Sequence, residues 1–317
     1  MQWFRSLTTV ILFLLLAAAF TACGSSQGPE VSFSDSKLEQ AVRHAIDKPL
    51  DAIHTADLKG LTSLTATNRG IADLSGLEYC KNLTELLLGG NKIADISALG
   101  GLVALRTLVL SENQISDISV LANLLGLREL QLWGNQITDV SPVARLPNLA
   151  RLDLSGNGLE DASPLATRVS LEWLFLRENG ISDISPLSTL VDLKELDLSD
   201  NEIVDLSPLS TLKSLESLEV AENQIADLGP LGSLHAVKEL SLAGNEISDI
   251  SVLAGLSRLA WINLSNNSIS NIKPLVDNTG LTEGTEVHLS GNPLSAMSVN
   301  TYIPQLEERG VNVSYDG

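Results

Sequence analysis

The apolar residues along most of this chain occupy a frame that repeats every 22 residues. One unit reads Leu83-x-x-Leu86-x-Leu88-x-x-Asn91-x-Ile93, and its Asn recurs at a spacing of 22 until a three-residue insertion precedes the last copy. The Leu-x-Leu alternation predicts a short strand with one buried face. A single unit cannot bury that face alone, so about three or more units must stack before a continuous core exists.

The second half of each unit predicts a tight return leg. Segments such as Ile181-Ser-Asp-Ile-Ser-Pro-Leu187 place Pro where a short helical turn begins, because Pro is favoured at the first helical position. Frame and tail together resemble the 22-residue class of leucine-rich repeats shared by internalins and phosphatase-regulator proteins, from about Phe33 to the C-terminus. The resemblance implies an α/β solenoid, a right-handed horseshoe with a parallel concave sheet, short convex helical turns and helical caps.

Degenerate units mark the ends of the repeat array. Residues 33–60 are predicted to form a helical N-terminal cap, in which Ser36-x-x-Glu39 matches a capping box. Residues 61–294 hold about eleven repeats, and the first and last are degenerate, as terminal repeats usually are. Residues 295–317 are predicted to form a C-terminal cap, with a helix over 298–309, a stop at Gly310 and a final strand.

The recurring Asn is predicted to be structural. It stands where each strand ends and backbone groups lose their partners, and its amide offers donors and an acceptor that can bridge adjacent turns. This Asn ladder comprises Asn91, Asn113, Asn135, Asn157, Asn179, Asn201, Asn223, Asn245, Asn267 and Asn292.

An Asp column recurs at the same spacing and has two interpretations. Each Asp can cap the helical turn that follows it, by accepting a free backbone N–H. Alternatively, the stacked carboxylates can form a cation-binding rail, although calcium sites gather several oxygens at one place and need no such column. Capping is the favoured interpretation. The column comprises Asp73, Asp95, Asp117, Asp139, Asp161, Asp183, Asp205, Asp227 and Asp249.

Three residues interrupt one column of frame leucines, the column to which Leu102 belongs. Cys80 is predicted to be a small buried apolar residue and not a reactive thiol. Arg168 and Asn278 are polar where Leu is expected. We expect Arg168 to distort the convex side locally, with Val169 turned inward in its place.

Composition and charge narrow the function. Hydrophobic residues make up 44% of the chain but aromatic residues only 4%, which favours a layered aliphatic repeat. The formal net charge of −19 argues against nucleic acid as a partner, because phosphates are bound mainly by basic side chains. Two cysteines exclude a disulfide framework as the source of stability.

The N-terminus carries an export pattern. An apolar run of eleven residues, Val10 to Phe20, follows a positive Arg5 and is too short to span a bilayer. Phe20-Thr21-Ala22-Cys23 resembles a bacterial lipobox, which implies that residues 1–22 are a signal peptide and that Cys23 is acylated. An incidental cysteine after an ordinary signal peptide is the alternative. Residues 23–32 are predicted to be a flexible tether.

The predicted lipid anchor sets the expected location. Acyl chains on Cys23 would hold the exported chain in a lipid bilayer of the cell envelope. Gly24 follows the cysteine instead of Asp, which by resemblance to sorting signals favours the outer membrane in a Gram-negative organism.

Three outward-facing columns of the concave sheet are the predicted binding surface. Apart from Trp3, every tryptophan falls in these columns, where the fold has no need of large apolar groups. Exposed aromatic residues beside arginine are typical of interface hot spots. Alternatively, single surface tryptophans merely cover neighbouring strands. The predicted partner-binding residues are Trp133, Arg151, Trp173, Phe175, Arg177 and Trp261.

Evidence for catalysis in the sequence is weak. No phosphate loop, metal-ligand spacing or nucleophile elbow occurs, and no cofactor or metal is expected. Glu286, His288 and Ser290 share one strand face and have the residue types of a hydrolytic triad. However, same-face neighbours on a strand lie roughly 6.6 Å apart, too far for a nucleophile and its base.

These patterns favour a membrane-anchored, non-enzymatic monomer that binds a protein or peptide on its concave face. The resemblance adds that internalin-like proteins bind host receptors through this face, although their contact residues vary. A carbohydrate or cell-wall binder that uses Trp133 and Trp173 as stacking platforms is the first alternative. An envelope hydrolase centred on His288 is the second.

Overall fold

A computed structural model describes residues 27–316, which form a solenoid around one parallel sheet. Its twelve three-residue strands pair in chain order, and equivalent frame leucines such as Leu130 and Leu152 are in register. The strands are β1 Ser63–Thr65, β2 Glu85–Leu87, β3 Thr107–Val109, β4 Glu129–Gln131, β5 Arg151–Asp153, β6 Trp173–Phe175, β7 Glu195–Asp197, β8 Ser217–Glu219, β9 Glu239–Ser241, β10 Trp261–Asn263, β11 Glu286–His288 and β12 Asn312–Ser314.

Short helical turns line the convex side, and helices stand at both ends. The predicted horseshoe of parallel strands and convex turns is confirmed. The 3₁₀ turns are Asp57–Gly60, Leu77–Tyr79, Ser97–Leu99, Ser119–Asn123, Ser141–Arg145, Ser163–Thr167, Ser185–Thr189, Ser207–Thr211, Gly229–Ser233 and Ser251–Gly255. The helices are α1 Ser36–Ala45, α2 Lys273–Asp277 and α3 Ile303–Glu307, the last preceded by a π turn at Ser298–Tyr302.

The frame leucines and isoleucines form a single core that runs the length of the solenoid. Leu196, Ile203 and Leu209, from the strand, the return and the turn of one repeat, are all fully buried. Each repeat buries these side chains against its neighbours, so stability is close to a sum of nearest-neighbour contributions.

Each Asp of the column accepts a hydrogen bond at the start of a convex turn. Oδ1 of Asp183 accepts from the backbone N of Ser185 at 2.8 Å, and the other eight make the same bond at 2.7 or 2.8 Å. The Ser185 backbone N–H and then its hydroxyl lower the pKa of Asp183. No group of three or more His, Cys, Asp or Glu within residues 27–316 is arranged to hold a metal ion.

The N-terminal cap differs from its prediction in two details. Asp35, not Ser36, caps α1, because its carboxylate accepts from the backbone N of Lys37 and Leu38. Glu39 does not complete a capping box and instead pairs with Arg43 at 2.7 Å.

The predicted flexible tether is wrong from Gln27 onward. The backbone oxygens of Gln27 and Pro29 accept from Ala56 and Thr55, both at 2.9 Å, and Glu30 forms an antiparallel bridge with His54. Residues 27–32 are therefore part of the cap. Residues 1–26, including the signal peptide and Cys23, lie outside the described part of the chain.

The three residues that interrupt the leucine column remain at the buried positions of the leucines they replace. Cys80 is fully buried, and burial raises the pKa of its thiol to about 12. The prediction that Val169 turns inward is wrong, because Val169 is exposed while Arg168 stays in the column with 9% of its surface accessible. Asn278 is fully buried and donates from Nδ2 to the carbonyl oxygens of Leu253 and Leu256.

The C-terminal cap closes the other end of the core. Ile303 and Leu306 of α3 are buried, and β12 pairs with β11 so that Val313 lies opposite Val287. Across residues 27–316, none of the helices has the length and apolar character that crossing a membrane requires.

Candidate functional site on the concave face

The concave face consists of the outward residues of the strands and of the column that follows them. The two strand columns flank each buried leucine and are mostly half-buried, as at Glu129 and Gln131 of β4. The third column lies two residues beyond each strand and agrees with the prediction only in part, because Trp133 and Arg177 face solvent whereas Ser111 and Ser199 do not. Ser111 and Ser199 are 4% exposed, and their hydroxyls have no hydrogen-bond partner within residues 27–316.

Trp173 and Phe175 form the centre of the face together with two cations. The Arg151 guanidinium carbon lies 5.9 Å from the ring centroid of Trp173 and 5.5 Å from that of Phe175. Nζ of Lys194 lies 5.5 Å from the Trp173 centroid. Both rings are half-buried. The aromatic faces are therefore already engaged by positive charges, which are attracted to the ring quadrupole.

Trp133 is the most exposed of the predicted aromatic residues. It keeps 39% of its surface accessible and lies two repeats before Arg177 in the third column, with Ser155 between them. Its backbone oxygen accepts from the N–H of Glu112 in the preceding repeat at 2.7 Å. The accessible part of the Trp133 indole can be buried by a partner.

Both arginines of the predicted site have carboxylate neighbours. Nε of Arg177 donates to Oδ2 of Asp200 at 2.8 Å, and this hydrogen bond raises the pKa of the Arg177 guanidinium. Nε of Arg151 lies 3.9 Å from Oε1 of Glu129. Pairing with these carboxylates reduces the positive charge that an anionic group of a partner would meet.

Carboxylates are frequent on the concave face on both sides of Phe175. Asp153 and Asp197 flank Phe175 on the neighbouring strands, and Glu219 follows in the next. Burial, followed by the negative charge of Asp197, raises the pKa of Glu219, and burial also raises the pKa of Asp153. A groove of about 410 Å³ adjoins this region and is lined by Trp173, Lys194, Glu195, Glu216, Ser217, Lys238 and Glu239.

Trp261 is separate from the central cluster. It stands on β10, four strands from Trp173 on β6, which is roughly 19 Å at normal strand spacing. Its ring packs against His288, with centroids 5.7 Å apart and planes inclined by 53°. The structure thus brings Arg151, Trp173 and Phe175 together and leaves Trp261 in a different environment.

The residues proposed for a hydrolytic triad have a different arrangement. Nδ1 of His288 lies 2.8 Å from Oγ of Ser314 on β12, not from Ser290, and Nε2 lies 3.9 Å from Oε2 of Glu286. They line an open groove of about 590 Å³ beside the last strand. Of these two atom pairs, only the one between His288 and Ser314 has hydrogen-bond length, so Glu286 does not orient the imidazole as the acid of a triad orients its base.

The Asn ladder follows the third column in each repeat, and its hydrogen bonds fix the backbone where each strand ends. In mid-solenoid, Nδ2 of Asn223 donates to Leu198 and Val220, while its Oδ1 accepts from the N–H of Ile203. The same three bonds join Asn245 to its two repeats. The ladder therefore links each repeat to the preceding one and holds the outward columns at constant spacing.

Sequence reasoning missed Lys194 and Asp200, which contact the predicted site residues from the next repeat. Each lies one repeat, 21 to 23 residues, beyond its partner Trp173 or Arg177. That offset is the signal that could have found them, because equivalent positions in adjacent repeats are neighbours in space.

Comparisons with known proteins agree with this architecture. A family profile described as "Leucine Rich repeats (2 copies)" matches residues 81–123, 126–167, 169–211 and 213–255. A sequence search of curated proteins found no match.

Solved structures of proteins from Listeria monocytogenes, among them two internalins, are similar to this chain. InlF is 32% identical, with a TM-score of 0.77 over 90% of this chain and 91% of that one. Internalin C2 is 36% identical, with a TM-score of 0.58 over 74% and 94%. The functional domain of InlJ is 25% identical, with a TM-score of 0.76 over 92% of this chain and 62% of that one.

Proposed function

Because the chain belongs to the leucine-rich repeat family, we propose that it is a non-enzymatic binding protein that holds a protein or peptide partner on its concave face. The proposed contact residues are Trp133, Arg151, Trp173, Phe175, Arg177 and Trp261. The observation that carries the proposal is that the concave face presents both the exposed indole of Trp133 and, on β5 and β6, the cluster of Arg151, Trp173 and Phe175.

The geometry supports a protein partner over a sugar. A sugar stacks on an open aromatic face, whereas Trp173 has Arg151 and Lys194 within 6 Å of its ring. A protein surface can instead bury Trp133, as it buries a hot-spot residue, and exchange ion pairs with the charged side chains of the concave face. The carboxylates around Glu219 favour a partner that also presents basic groups.

The same proposal includes a lipid anchor at Cys23. The supporting observations are the lipobox-like sequence and the folded cap that begins four residues later, at Gln27. Acyl chains at Cys23 would place the binding face at the surface of an envelope membrane.

Capture of partners by the full-length chain tests the concave face. Wild type, Trp133→Ala and Tyr79→Ala are each used to capture proteins from envelope and host extracts and are also applied to a glycan array. Tyr79 is a matched control, because it is an exposed aromatic residue in a convex turn.

We expect Trp133→Ala to lose a partner that both wild type and Tyr79→Ala retain, because truncating an anchor residue typically costs about 2 kcal/mol or more of binding. Thermal melts of the three proteins should coincide within the small range expected of surface substitutions. Identical capture by all three would mean that Trp133 is not part of the site. Trp133-dependent glycan binding would support the carbohydrate alternative.

A further inference from the structure

Five successive repeats expose an apolar residue at one equivalent position on the flank where the strands begin. The position lies ten residues before each ladder Asn. Four of the five are between 48% and 61% exposed, and Pro147 is exposed as well. Contiguous exposed apolar surface marks an interaction site more often than scattered residues do. This apolar stripe comprises Val103, Leu125, Pro147, Val169 and Val191.

Basic side chains surround the N-terminal part of the apolar stripe. Lys59 and Lys81 occupy the same position in the two preceding repeats, and Arg106 and Arg128 lie three residues after Val103 and Leu125. Among the described residues, no ion pair with a carboxylate involves any member of this basic group. In a chain of net charge −19, such a grouping is unusual. The basic group comprises Lys59, Lys81, Arg106, Arg128 and Arg145.

The opposite flank, where the strands end, carries the opposite charge. The position just before the ladder Asn is acidic in four repeats, and the loops there have no matching row of basic residues. Negative charge on that flank is repelled by an anionic surface, whereas the basic group is attracted to it. The acidic residues are Glu112, Glu178, Asp200 and Glu222.

The chain enters the fold beside the basic group. The backbone oxygen of Gln27 accepts from Ala56 at 2.9 Å, and Ala56 in turn accepts from the N–H of Lys59. From Cys23 to Gln27 the chain spans at most about 14 Å. Residues 27–32 are folded into the cap, so only residues 23–26 link Cys23 to the folded chain. A lipid on Cys23 therefore keeps this flank close to the bilayer.

We propose that the flank formed by the apolar stripe and the basic group rests on the headgroup surface of an anionic lipid bilayer. The inference rests on the proposed lipid anchor at Cys23. The apolar stripe enters the boundary between headgroups and acyl chains, and the basic side chains reach lipid phosphates. The strands then rise from the membrane and the concave face opens sideways, which leaves Trp133 accessible to a partner.

Single-cysteine reporters on the two flanks test the inference. Val103→Cys and Val204→Cys are matched, because both valines are exposed, at 61% and 58%, and Val204 follows the ladder Asn on the opposite flank. Cys80 does not compete for label, because it is fully buried and its thiol pKa is raised to about 12. The chain is purified from the expressing cells with the N-terminus that those cells produce, labelled with a water-sensitive fluorophore and mixed with phosphatidylglycerol-containing or pure phosphatidylcholine vesicles.

On the anionic vesicles, the reporter at 103 should shift to the blue and lose quenching by aqueous iodide, while the reporter at 204 stays quenched. Spin-labelled lipid should quench only the reporter at 103. Salt of about 1 M should reduce the protection of the reporter at 103, because the screening length then falls to roughly 3 Å. The double substitution Arg106→Glu and Arg128→Glu should reduce it as well. An unchanged melting temperature of the double variant shows that its fold is intact.

The results that would contradict the inference distinguish a failure of the lipid anchor from a failure of the flank inference. A chain that floats with vesicles but leaves both reporters equally open to iodide retains the anchor and overturns the flank inference. A chain that does not float overturns the anchor and the flank inference with it. Protection at 103 in the Cys23→Ser chain, measured without lipid or detergent, assigns the flank to a second copy and also overturns the inference.

Discussion

Nδ2 of Asn201 donates to the carbonyl oxygen of Leu176 in the preceding repeat at 3.0 Å and to that of Leu198 in its own repeat at 3.0 Å. Its Oδ1 accepts from the backbone N of Ile181 at 3.1 Å. Nδ2 also lies 3.1 Å from the carbonyl oxygen of Ser199, so one side chain engages four backbone groups where the strand ends. Since the same bonds recur along the solenoid, their loss at one position tests how strongly neighbouring repeats are coupled.

Asn201→Ala should lower the free energy of unfolding by about 1–3 kcal/mol, because buried backbone groups are left without a partner. Urea denaturation monitored by circular dichroism measures the change. Asn148→Ala is the control, because the side chain of the exposed Asn148 makes one hydrogen bond within residues 27–316, from Nδ2 to the carbonyl oxygen of Leu125. Similar losses of unfolding free energy in both variants would show that the hydrogen bonds of the Asn ladder stabilise the fold no more than a surface hydrogen bond does.

Ser199→Ala should leave stability unchanged or raise it. The Ser199 residue is 4% exposed and its hydroxyl has no hydrogen-bond partner in the described part of the chain, so folding removes the hydroxyl from water without compensation. Replacement by a methyl group removes that desolvation cost, which is of the order of 1 kcal/mol or more. A lower denaturation midpoint in Ser199→Ala would mean that the hydroxyl has a partner in solution.

Arg168→Leu and Asn278→Leu should change stability in opposite directions. Arg168 is 9% exposed and donates to the Thr167 hydroxyl alone, and burial lowers the pKa of its guanidinium. Leu at this position extends the leucine column, with an expected gain of about 1–2 kcal/mol. Asn278 bonds two carbonyl oxygens and the N–H of Gly280, so its replacement leaves three groups unpaired and should be destabilising. Melting temperatures of the two variants give the comparison.

Acid should weaken the fold through the Asp column. The pKa values of Asp117 and Asp183 are lowered by the backbone N–H and the hydroxyl of the Ser two residues further on, Ser119 and Ser185 respectively. A carboxyl whose pKa is lowered on folding contributes stability above its unfolded pKa, near 3.8, and that stability is lost as pH falls through the folded pKa.

The double variant Asp117→Asn and Asp183→Asn tests this pH dependence. Asn can keep the bond, as Asn271 does by accepting from Lys273 N at 3.0 Å, but it does not titrate. Urea midpoints at pH 7 and pH 3 should therefore fall less in the double variant than in wild type. An equal fall would assign the acid sensitivity to other carboxyls.

Cys23→Ser should move the chain from the membrane to the soluble fraction, because acyl chains would be its attachment to the bilayer. Fractionation of cells expressing wild type and variant, together with uptake of a labelled fatty acid, measures the change. Wild type that takes up no label, together with a variant that remains in the membrane, would contradict the lipid anchor.

The 22-residue periodicity of the sequence by itself determined the path of the backbone. The 22-residue frame predicts which side chains enter the core and which strands pair, because one set of contacts recurs at a fixed offset and each repeat needs the next to bury its leucines. Interruptions were harder to predict. Arg168 keeps the position of a leucine although a buried guanidinium is costly, because the repeats on either side hold the backbone in place.

The tertiary structure decided what surrounds each outward residue. The sequence places Trp173 and Arg177 on the concave face, but Lys194 over the indole and Asp200 on the guanidinium are contacts between neighbouring repeats. Such contacts depend on side-chain rotamers and local burial, which hydrophobic periodicity does not encode. The same reason explains why Ser199, predicted to face solvent, is buried and why Ser314 lies beside His288 where Ser290 was expected.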